Sequence, residues 1–219
     1  MFDLKKILFR GDSAPLDLDA ELRAFVETWR GAPVPDLEEV HYHCRYVVVD
    51  TVTAGSPDAR DTLLGLAAVG VVRGGLVLPD DVLALDFTAE RPPGEVERCL
   101  AAFLGFVGHG PLVVFGASPT QTLVQGLLRE RLGVEFLPLW IDLALLLPQY
   151  CGAPPGGAAR REDWLRSLGI DAPPGRDAVA NALGLARLLQ VLLPRATEQG
   201  ADTPRRLAAT GRRFFRPGG

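Results

Sequence analysis

The stretch VVVDTVTAG, residues 47–55, decides how the rest of the chain is read. With Tyr46 it opens as a run apolar at consecutive positions, the pattern of a strand buried on both faces. The run ends on an acid, Asp50, and a polar turn containing Gly55 follows. An acid at the end of a buried strand is well placed to be aimed at a metal or a substrate. Side chains two apart on a strand share a face, so a second carboxylate would belong at position 52. The residue there is Val52.

The flanking sequence supplies the frame. Residues 62–87 spell valine- and leucine-rich runs around Gly74-Gly75, which predicts strand, tight turn, strand. Residues 94–108 place Val96, Leu100, Phe103, Leu104 and Val107 at helical spacing, and PLVVFG (111–116) reads as a buried strand. A helix over 118–133 is expected to start with Ser118 as N-cap and Pro119 in its first position, and to stop at Gly133. FLPLWI (136–141) predicts a short strand, and Asp142 the cap of a helix through 150. Residues 151–159 read as a loop, 160–170 as a short helix and 176–193 as a long one ending near Pro194. Upstream, Leu22, Phe25, Val26 and Trp29 mark an amphipathic helix over 15–31.

This order predicts one mixed α/β domain, an antiparallel meander joined to parallel strands by crossover helices. The expected division is an N-terminal helical extension (1–44), a central domain (45–197) and a basic tail (198–219). The net charge of −4 argues against strong non-specific binding to nucleic acid, which needs a basic surface. Cys44, Cys99 and Cys151 are odd in number and scattered, so neither a disulfide framework nor a zinc ribbon is suggested. The first residues lack a signal-peptide core and no run is long enough to span a bilayer, so the expected compartment is the cytoplasm.

Three segments in this order resemble the motifs of the proofreading-type 3′–5′ exonucleases, the ribonuclease H-like family of the DNA polymerase III epsilon subunit and ribonuclease T. Residues 46–77 look like the first, an apolar strand followed by D-x-E-T-T-G and a second strand. Residues 110–128 look like the second, usually H-N-x-x-F-D before a helix. Residues 173–193 look like the third, usually H-x-A-x-x-D-A on a long helix, and LWIDLALLLP (139–148) resembles the segment between the last two. The resemblance spans roughly residues 45 to 195. It implies a ribonuclease H-like fold and phosphodiester hydrolysis by two Mg²⁺ or Mn²⁺ ions about 4 Å apart. Such a pair needs several carboxylates to hold it, and a histidine base for the attacking water.

The motif positions depart from that chemistry. Asp50 keeps the first acid, the one position expected to hold a metal, while the second is Val52. The acid of the second motif falls on Thr120, with Phe115 and Gly116 in place of His-Asn. In the third motif the base position is Arg176 and the acid position Asn181. Arginine cannot serve as a base near neutral pH, and asparagine removes a charge. The implied function is therefore an exonuclease-like scaffold that is catalytically inactive and binds a nucleic-acid 3′ end or a protein partner. Two alternatives stand beside it: an active Mg²⁺- or Mn²⁺-dependent 3′–5′ exonuclease with a rearranged site, and a structural or oligomerisation module. Asp58 and Asp61 read as solvated turn acids, and Asp177 as favouring the start of the long helix.

Three other features offer competing sites. VVFGASPTQ resembles a hydrolase nucleophile elbow, but Thr120 stands where Gly is needed and every histidine precedes Ser118. In HYHC (41–44), His41 and His43 share a face if extended and two imidazoles can hold zinc, yet no third ligand accompanies them. The tail interleaves Arg205, Arg206, Arg212, Arg213 and Arg216 with Phe214 and Phe215. It reads as a short helix end, with Arg212, Arg213, Phe214 and Phe215 as candidate contacts for nucleic acid or a partner.

Overall fold

The computed structural model describes residues 18–54, 62–88, 92–152, 160–171 and 177–214. Its centre is a five-stranded mixed sheet in the order β3-β2-β1-β4-β5. β1 (Tyr46–Ala54), β2 (Thr62–Val71) and β3 (Val82–Asp86) form the antiparallel meander, and β4 (Leu112–Val114) and β5 (Trp140–Asp142) add in parallel to β1. The connections run through α2 (Glu95–Val107) and α3 (Ala117–Leu132). α1 (Ala20–Arg30), α4 (Leu143–Cys151), α5 (Arg161–Ser167), α6 (Ala178–Glu198) and α7 (Pro204–Phe214) complete the described helices. This is the expected ribonuclease H-like α/β arrangement.

The alternation of β1 builds two cores. Val48 faces one, filled by Ala67, Val69, Ile141, Trp164 and the leucines of α6; Val47 and Val49 face the other, with Leu66, Phe103 and Leu128. Tyr46 through Val49 are at most 1% exposed, which is why the run tolerates no polar residue until Asp50. Trp29 of α1 donates its indole N–H to the carbonyl of Leu104, fastening α1 to α2.

Four expectations are corrected. The second arm of the hairpin does not resume after Gly75: Val72 and Leu76 form an isolated bridge and pairing restarts at Val82. α3 starts at Ala117 with Gly116 (φ 75°) at its N-cap, so Ser118 and Pro119 lie inside the first turn. Proline is tolerated there because first-turn N–H groups have no helical acceptor. Pro194 does not end the long helix, which continues to Glu198. Leu192, Leu193 and Ala196 beside it are at most 2% exposed, and their packing outweighs the roughly 3 kcal/mol a mid-helix proline costs. Finally, His41–His43 is a 3₁₀ turn, not an extended segment, so the two imidazoles do not share a strand face.

The segment before β1 meets the segment that leads into α7. The N–H of His41 donates to the carbonyl of Asp202, and that of Arg205 to the carbonyl of Leu37. Leu207 of α7 is fully buried and Ala208 nearly so. No described helix is long and apolar enough to cross a membrane.

Candidate functional site

Asp50 leaves β1 on the same face as Val48, toward α6. α6 begins where the Asp177 carboxylate accepts the N–H groups of Val179 and Ala180, at 2.8 and 3.1 Å. That cap, the role expected of Asp177, sets Asn181 in the first turn. The Asn181 side-chain amide then donates to one Asp50 oxygen at 3.0 Å. The other Asp50 oxygen faces the Arg161 guanidinium at 3.4 Å. Arg161 is also bound through Nε and a second guanidinium nitrogen to Glu162, at 3.0 and 2.7 Å. The Asp50 and Arg161 side chains are 17% and 21% exposed, so the pair is largely shielded from water.

Burial pushes the Asp50 carboxyl above the ordinary aspartate range; the Asn181 hydrogen bond and the Arg161 charge pull the other way, and Glu162 adds to the rise. For Glu162, burial is outweighed by hydrogen bonds from its own backbone N–H and from Arg161, and its carboxyl lies below the usual value. A raised folded-state pKa means that Asp50 contributes stability below its ordinary pKa and loses it as pH rises through the folded value. Asp50→Asn is therefore expected to gain stability relative to the parent chain as pH rises from 4 to 7. Urea midpoints at each pH measure this, and a difference that stays flat with pH contradicts it.

The donor set does not fit a two-metal centre. Such a centre needs converging anionic oxygens. Around Asp50 stand a guanidinium, which only donates, an amide nitrogen and the isopropyl group of Val52; the one further carboxylate that acts on it, Glu162, is itself engaged by Arg161. Thr120 meets Thr51, hydroxyl to hydroxyl at 3.3 Å, and Thr51 leaves β1 on the face opposite Asp50. Among the described residues no three His, Cys, Asp or Glu side chains are grouped to hold a metal. Arg176, Asp58 and Asp61 lie outside the described residues.

Of the predicted positions, the structure thus joins Asp50 to Asn181 and leaves Thr120 with another partner. Arg161 was missed. One signal was present: an arginine opening a helix opposes the helix dipole, which points to a partner elsewhere in the fold. His41 is engaged with the Tyr46 hydroxyl and the Ala201 carbonyl, and burial holds its imidazole pKa below the ordinary value. In the tail, Arg205 pairs with Glu38 and Arg206 with Asp202. Arg212, Arg213 and Phe214 fall in the last turn of α7, their side chains outside the described set, as is Phe215 altogether.

No family model matches the chain, and no curated protein sequence does. Solved structures do match. Cell-death related nuclease 4 superposes with a TM-score of 0.57 at 12% identity, over 75% of this chain and 68% of that one. The nuclease domain of 3′hExo, a DEDDh family member bound to rAMP, gives 0.53 at 10% identity, over 75% and 97%. E. coli exonuclease I in complex with a dT13 oligonucleotide gives 0.52 at 14% identity, over 72% of this chain but only 43% of that enzyme. The fold of this chain is that of the 3′–5′ exonucleases.

Proposed function

We propose that this chain is a proofreading-type exonuclease-like protein, akin to the DNA polymerase III epsilon subunit, that has lost hydrolysis and acts in the cytoplasm by binding. On this reading residues 45–197 are the exonuclease-like unit, 1–44 its N-terminal extension and 198–219 its basic tail. The observation that carries the proposal is the pairing of Asp50. Its two oxygens, which the family resemblance assigns to a metal, are taken by Arg161 and Asn181. A dication approaching Asp50 would have to displace a guanidinium from a shielded carboxylate, with no second acid on β1 to assist, because Val52 stands in that place. That solved structures of this fold are bound to dT13 and to rAMP supports a nucleic acid as a candidate ligand.

The expected result is that 3′-labelled single-stranded DNA and RNA remain untrimmed in Mg²⁺ and in Mn²⁺, and that calorimetry detects no heat of Mg²⁺ binding. Trimming by the parent chain that disappears in Asp50→Ala would establish the alternative, an active metal-dependent exonuclease.

A further inference from the structure

Of the chain's three histidines only His41 is buried, at 5% exposure. It sits between the start of β1 and the connection from α6 to α7. Its Nε2 lies 2.8 Å from the carbonyl of Ala201, and its Nδ1 is hydrogen-bonded with the Tyr46 hydroxyl. A carbonyl accepts and never donates, so the ring proton is on Nε2. Nδ1 is then the acceptor, and the Tyr46 O–H donates to it. Tyr46 opens β1, is 1% exposed and makes no other side-chain hydrogen bond among the described residues.

The backbone closes the joint on either side of the ring. The His41 N–H donates to the Asp202 carbonyl and the Arg205 N–H to the Leu37 carbonyl, each at 3.1 Å. Thr203, 4% exposed, accepts the N–H of Arg206 through its hydroxyl and so starts α7. One imidazole therefore ties together an upstream segment, the first strand and the entry to α7.

Proton count decides what this ring tolerates. A second proton, on Nδ1, makes both nitrogens donors. The Tyr46 oxygen can accept it only by turning its own proton into a buried setting that offers no acceptor, and an unmet buried donor is costly. Surrounding charge gives little relief. Asp202 is paired with Arg206 at 2.8 Å and Glu38 with Arg205 at 2.7 Å. Glu39 and His43 are exposed, and burial keeps Cys44 a neutral thiol. The closed joint fits the neutral ring. Burial lowers the pKa of His41 accordingly, against the opposing pull of the Ala201 carbonyl and Asp202. A lowered folded-state value means that the ring's contribution is present above the ordinary imidazole pKa and is lost as pH falls below it.

We propose that His41 is a proton-sensitive clasp, whose protonation parts residues 37–41 from residues 201–205 and loosens the start of α7. The test is amide hydrogen exchange of the full chain, resolved by NMR, at about pH 7.5 and about pH 5.5, on either side of the ordinary imidazole value. The amides of His41 and Arg205 report opening, because each bonds across the joint. Corrected for intrinsic rate, their protection is expected to fall about tenfold at the lower pH, the factor that each unit of pKa lowering supplies. The Leu112 amide, bonded to the Leu139 carbonyl in the sheet, is expected to keep its protection. His43→Gln, at an exposed position, is expected to respond as the parent does, and His41→Phe to show no pH response. Nitrogen-15 spectra of the parent imidazole at the higher pH, which need no variant to fold, are expected to place the proton on Nε2. The inference is overturned if the proton is on Nδ1, or if the two amides keep their protection at the lower pH. It is equally overturned if Leu112 loses as much, if His43→Gln abolishes the response, or if His41→Phe retains it.

Discussion

Asp142→Ala is expected to destabilise the protein by about 3 kcal/mol, because one carboxylate starts two helices. One Asp142 oxygen accepts the N–H of Gly116 at 2.8 Å and that of Ala144 at 2.9 Å; the other accepts the N–H of Ala117 at 2.8 Å. These are the orphan donors at the starts of α3 and α4. Alanine would strand three N–H groups where β4 and β5 end side by side, Val114 opposite Asp142. A charged acceptor is worth about 1.5–3 kcal/mol per bond, but part of each loss is recovered from water, since Asp142 is half-buried. Asp142→Asn keeps one acceptor oxygen and is expected to lose about half as much. Urea unfolding measures both, and a loss below about 1 kcal/mol for the alanine variant would show that the shared cap is dispensable.

Gly70→Ala is expected to cost a similar amount, about 3 kcal/mol, for a steric reason. A Cβ at position 70 would lie 1.8 Å from an Asp81 carboxylate oxygen and 2.2 Å from its carbon. Asp81 cannot swing away freely, because Arg45 grips both its oxygens, at 2.6 and 3.2 Å. The same guanidinium donates to the Phe106 carbonyl at 2.9 Å and lies 4.7 Å from the centre of the Phe106 ring. The methyl group would expel the carboxylate and leave Arg45 without its anion. Arg45 is 35% exposed, so the cost sits at the low end of the range for a broken buried pair. Gly70→Ala/Asp81→Ala removes the overlap and is expected to be more stable than Gly70→Ala alone; the reverse order would refute the steric account.

Both residues illustrate where local sequence falls short. Asp142 was legible as a cap for the helix that follows it, since the cap and its N–H groups are neighbours in the chain. Its hold on α3, 25 and 26 residues back, was not, since a serine before a proline looks like a cap and local sequence points to Ser118 instead. Gly70 reads as one more small residue in an apolar strand; only the return of Asp81 across the hairpin makes it obligatory. Pro194 fails for the same reason in reverse, since the burial of its neighbours decides and that is not a local quantity. At the candidate site, Asp50, Val52 and Asn181 could be placed from motif order alone. Arg161 could not, because it belongs to none of the motifs and reaches Asp50 from a helix 111 residues downstream.

By itself the sequence determined the order of strands and helices and the buried first strand that carries Asp50. Those follow from hydrophobic period, caps and residue identity, which act within a few residues of each position. What contacts the Asp50 carboxylate was decided by the tertiary structure alone. Packing α5 and α6 against one face of the sheet brings Arg161 and Asn181 to Asp50, and a shielded charge takes whatever complementary donor the fold delivers to it.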